Sequence, residues 1–154
     1  MTFVAALVLA LYSLVLPVSS PVEKASGGGE AVAFAMHAYH KAAVTWCEND
    51  ATTCADGPPT RDQMPLPGHF DAGAWLRASI ASRVVVTYAV NPPVPAASLV
   101  KGLIATGINP DNVGIATEID GAVRLQGLGR SAYWVNIALP GDVPVGAPVI
   151  VTVR

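Results

Sequence analysis

The first twenty residues, MTFVAALVLALYSLVLPVSS, constrain this chain more than any other stretch. No Lys, Arg, Asp or Glu occurs before Glu23. As a helix, Thr2–Ser20 would span about 28 Å, close to the hydrocarbon core of a bilayer. Three readings compete. A cleaved signal peptide is disfavoured by the missing basic n-region and by Pro21, which follows the small-residue site Val18-x-Ser20. A buried core helix this apolar all round is rare in a small domain. A retained single-pass anchor tolerates Tyr12 and Ser13, and Pro17 near its end breaks few backbone hydrogen bonds. Residues 1–20 are therefore read as a transmembrane anchor, or an uncleaved signal. Neither flank carries a Lys/Arg cluster, so the positive-inside rule sets no orientation.

The rest of the chain suffices for one domain with its own hydrophobic core. A hydrophobic content of 52% argues against disorder. The net charge of −2 and a charged fraction of 13% exclude an electrostatic nucleic-acid binder, which needs clustered cations. Thirteen prolines and fourteen glycines predict many turns between short elements.

Residues 21–29 read as a polar hinge ending in Gly27-Gly28-Gly29. That glycine run lacks the Gly-Lys-Ser/Thr of a phosphate-binding loop. Residues 30–154 read as the folded α+β domain. It opens with a helix over Glu30–Glu48, whose Val32, Met36, Tyr39, Ala43 and Trp46 recur at three- and four-residue spacing. The proline-rich segment Ala55–Gly68 follows as a connection, and the type of AGAWLRASIA stays open. Ser82–Val90 reads as a strand and Ala96–Thr106 as a helix capped by Gly107. Val113–Leu125 reads as a hairpin turning at Asp120-Gly121. Tyr133–Leu139 and Pro148–Val153 are further strand candidates. This order predicts a helix packed on an antiparallel β-sheet.

Cys47 and Cys54 are the only cysteines, six turn-forming residues apart. In a reducing compartment they would be idle thiols or half of a metal site. An even, close pair just past an apolar leader favours a disulfide. His37 and His40 lie three apart on the predicted helix, with His69 the only other histidine. Two histidines without a placed third ligand are expected to be packed or surface residues rather than a metal centre. Neither a Gly-x-Ser-x-Gly elbow nor a His-Glu-x-x-His motif occurs. No catalytic residue, metal ligand or cofactor is assigned. Trp75, Tyr133 and Trp134 are the candidate interface residues.

Four features carry a family resemblance: the uncharged leader, the helix AFAMHAYHKAAVTW, the pair RVVVTYAV and VGIATEIDGAVRL, and the ending IALPGDVPVGAPVIVTV. Together they resemble the small PilM proteins of type IVb and thin conjugative pilus operons. The resemblance implies a pilin-like layout and an accessory protein of type IV pilus assembly. It implies a single-pass protein of the bacterial inner membrane, with its domain facing the periplasm. It brings no catalytic residues. The expected partners are other pilus assembly proteins, met through sheet edges or aromatic patches. Two rival roles stay open, a minor pilin in the fibre and a secreted binding module or small hydrolase. The leader lacks the Gly-Phe and following Glu of a prepilin processing site, which disfavours the minor pilin.

Overall fold

A computed structural model describes residues 21–49, 54, 56–68, 70, 73–127 and 137–154. The predicted anchor 1–20, His69 and most of the strand candidate Tyr133–Leu139 lie outside the described residues. Among the described residues, no helix is long and apolar enough to cross a membrane.

Helix α1 runs over Pro21–Asn49, nine residues longer at its N-terminal end than the sequence predicts. Residues 21–29, read from sequence as a hinge, are helical instead. The C-terminal end of that extension, at Gly29, lies against a second helix, α2, over Ala96–Ala105. A Cβ on Gly102 of α2 would lie 2.9 Å from the Ala33 Cβ and 3.3 Å from the Gly29 carbonyl oxygen. Small residues let the two helices approach closely there. Packing at Gly29 and Ala33 thus offsets part of the helix penalty of glycine, roughly 1 kcal/mol per residue.

Five strands follow: β1 (Leu76–Ala81), β2 (Val84–Ala89), β3 (Val113–Ile119), β4 (Ala122–Gly127) and β5 (Pro148–Val153). They form one sheet in the order β1-β2-β5-β3-β4, with every pairing antiparallel. The Asp120-Gly121 turn joins β3 to β4 with both residues at positive φ, 53° and 74°, as a tight hairpin requires. The β1–β2 turn does the same with Ser82 and Arg83, at φ 49° and 69°. β5 is the last element in sequence but sits in the middle of the sheet. Its run Val149-Ile150-Val151 is fully buried because both faces of the sheet are covered.

One face packs against the helices. Met36, Tyr39 and Ala43 of α1 and Leu99, Val100 and Leu103 of α2 meet Leu76, Ile80, Val85, Val113 and Ile150. Val32 and Trp46 flank this cluster, so the helical face read from the sequence is the packed one. On the opposite face, Val86, Tyr88, Leu125, Val149 and Val151 lie under Leu139, Val143 and Ala147. The described residues form an α+β domain with two α-helices on a five-stranded antiparallel sheet.

Candidate functional site

Three places are candidates for function: the histidines of α1, the cysteine pair, and the outward surfaces formed by aromatic residues and sheet edges.

His40 points from α1 into the sheet and is 6% exposed. Its Nδ1 lies 3.0 Å from Thr87 Oγ1 on β2, and its Nε2 lies 2.8 Å from Thr152 Oγ1 on β5. Burial, reinforced by His37 and Arg154, pushes its pKa down to about 3. The ring is neutral at ordinary pH, so one nitrogen donates and the other accepts. Threonine hydroxyls satisfy either arrangement. His40 is thus a polar peg fixing the register of α1 on β2 and β5. His37 is half-buried, and burial followed by the Lys41 charge lowers its pKa as well. Among the described residues, no group of three or more metal-ligating side chains gathers.

Cys47 and Cys54 form a disulfide with their Cα atoms 4.5 Å apart. It staples the C-terminal end of α1 to the segment entering the sheet. Nearby, Glu48 pairs with Arg154 just beyond β5.

Trp75 closes the turn leading into β1, and its indole lies where a side chain on Gly73 would have to sit. It is half-buried and packs beside the helix-side core. Its carbonyl accepts a hydrogen bond of 2.7 Å from the Val90 N–H. Tyr133 and Trp134, the other two candidate interface aromatics, lie outside the described residues. Another aromatic, Tyr88, buttresses the far face by donating to Asp142 Oδ2 at 3.0 Å. Burial first, then this bond, raises its pKa to about 12.

Both sheet edges are partly occupied. Gly57 exchanges backbone hydrogen bonds of 2.8 and 3.0 Å with Ile80 on the β1 edge. On the β4 edge, Ala138 bridges to Arg124, and the Leu139 N–H donates to the Val123 carbonyl at 2.9 Å. These short bridges shorten the unpaired edge that a docking strand would use. Among the described residues, a cleft of mixed polarity and a mainly apolar one open at the ends of the sheet. One of about 300 Å³ lies between Val90–Val94 and Pro144–Pro148. The other, of about 450 Å³, lies between Ala81–Val84 and Ile137–Pro140. The helix offers a different surface. Phe34 projects from α1 at 68% exposure, above Val145 and Val153, the other exposed large hydrophobics among the described residues. Nothing in the sequence reading singled out Phe34. The signal available was its place off the Val32-Met36-Tyr39 face.

A family model described as PilM matches residues 4–151. The chain belongs to the PilM family. Among solved structures, the fold of this PilM chain is similar to a crystal structure of a PilM protein from Escherichia coli B7A. The TM-score is 0.57 at 17% identity, over 80% of this chain and 90% of the other. At that identity the likeness speaks for the fold. No curated protein matches the sequence. The PilM match includes residues 4–20 of the apolar leader and the helix-and-sheet domain up to Val151 in β5.

Proposed function

We propose that this protein is a membrane-anchored, non-enzymatic accessory factor of type IV pilus assembly, acting through protein–protein contacts from the periplasmic side of the inner membrane. The PilM family match over residues 4–151 carries this reading and supports a pilus-associated role. The uncharged leader supports the anchor. The Cys47–Cys54 disulfide supports an oxidising compartment for the domain. His40 supports a structural rather than catalytic use of buried polar groups, since both its ring nitrogens are held by threonines.

The test is a Leu9→Arg/Leu14→Arg variant, which places two charges in the middle of the leader. The expected outcome is release or degradation of the protein and loss of pili. Normal piliation in that variant would overturn the reading. A minor pilin is the second reading, favoured by the long helix ahead of an antiparallel sheet. It requires the protein to copurify with sheared pili after processing near its N-terminus.

A further inference from the structure

The outer stripe of α1 is self-complementary. Glu30, Phe34, Ala38 and Lys41 follow one another at spacings of four, four and three, the rule for one helical face. Glu30 and Lys41 are exposed, Ala38 is half-buried, and Phe34 is the most exposed large hydrophobic among the described residues. An apolar centre is therefore bracketed by one anion and one cation. Glu48, further along α1, is already held by Arg154.

We propose that this stripe is a homodimer interface, in which α1 packs antiparallel against α1 of a second copy. A two-fold axis crossing the stripe between Phe34 and Ala38 brings Glu30 level with the partner's Lys41, and Lys41 level with the partner's Glu30. The same operation sets Phe34 over the partner's Ala38, a small residue beside which an aromatic ring can seat. Such an arrangement is isologous, with one patch used twice. A parallel pair would instead place Glu30 against Glu30 and Lys41 against Lys41, and like charges repel. The axis lies across the helices, so both chains can leave toward one surface when α1 lies flat along it. A stripe of three or four turns buries well under the about 800 Å² per partner of a standard interface. The pair is accordingly weak and concentration-dependent. This proposal does not depend on the role in pilus assembly.

Zero-length carbodiimide coupling of the full-length chain in detergent tests it directly. Within one helix Glu30 and Lys41 are about 16 Å apart along the axis, so an amide between their side chains must join two molecules. The expected result is a dimer band containing the Glu30–Lys41 cross-linked peptide. Glu30→Lys or Lys41→Glu alone should abolish it, and the double swap should restore it. Phe34→Ser, at an exposed position, should cut the yield at least fivefold, while Val145→Ser should leave it unchanged. A chain that stays monomeric at all concentrations would overturn the proposal. So would a dimer that survives both single charge reversals.

Discussion

At the scale of single residues, His40 couples packing to pH. Its folded pKa near 3 lies below the ordinary histidine value of 6.5, so the folded state holds the neutral ring. The unfolded chain takes up a proton below pH 6.5, and that uptake favours unfolding. The stability contributed is complete above pH 6.5 and falls as pH drops toward 3, by up to about 1.4 kcal/mol per unit. Urea titrations at pH 7 and pH 5 should differ by roughly 2 kcal/mol from this group alone. A His40→Gln variant should be less stable at pH 7 and show a shallower loss on acidification. Helical spacing in the sequence showed that His40 could face inward. It could not show that the strands would bring Thr87 and Thr152 to opposite sides of the ring, because those residues lie 47 and 112 positions away from it in the chain. Gly114 was similarly silent in the sequence. A Cβ there would collide with the Gln126 backbone carbonyl, so Gly114→Ala should lower stability by about 1–3 kcal/mol in chemical denaturation.

Elements were legible where local chemistry and tertiary demand agree. Asp120-Gly121 marks its hairpin because both residues accept positive φ, and Pro148–Val153 reads as a strand because Val149 to Val153 are all β-branched. Gly107, at φ 90°, ends α2 as expected of a helix C-terminal glycine. β1 was missed because its turn is Ser82-Arg83, a pair with no hairpin signature. The alternation Leu76-Arg77-Ala78-Ser79-Ile80 was the signal available. Replacing Ser82-Arg83 by Asn-Gly should raise the melting temperature, with a gain of about 1 kcal/mol from relieved left-handed strain. The staple at the end of α1 should matter more. Cys47 and Cys54 should resist alkylation until reduced. The Cys47→Ser/Cys54→Ser double variant should lose about 2–3 kcal/mol on the chain-entropy account. Ready labelling of unreduced protein would contradict the bridge.

Over the whole molecule, fold class and helix-on-sheet layering could be read from the order of elements, but strand order could not. Nothing in Pro148–Val153 says that it lies between β2 and β3 rather than at an edge. Only its burial on both faces, with Val149, Ile150 and Val151 at 0–1% exposure, reveals the central position. Removing residues 148–154 should therefore abolish cooperative unfolding altogether, seen as a flat near-ultraviolet melt, since β2 and β3 lose the strand that joins them. The interface proposed on α1 lies outside both hydrophobic clusters of the domain, so at concentrations where the protein is monomeric the Phe34→Ser change should leave the melting temperature unchanged.

The central place of β5 also sets a timetable. A polypeptide emerging from a ribosome or a secretion channel delivers this strand after every other element described here. Until it arrives, the two halves of the sheet have no shared hydrogen-bonded partner. The five-stranded sheet therefore cannot be completed before residues 148–153 have emerged.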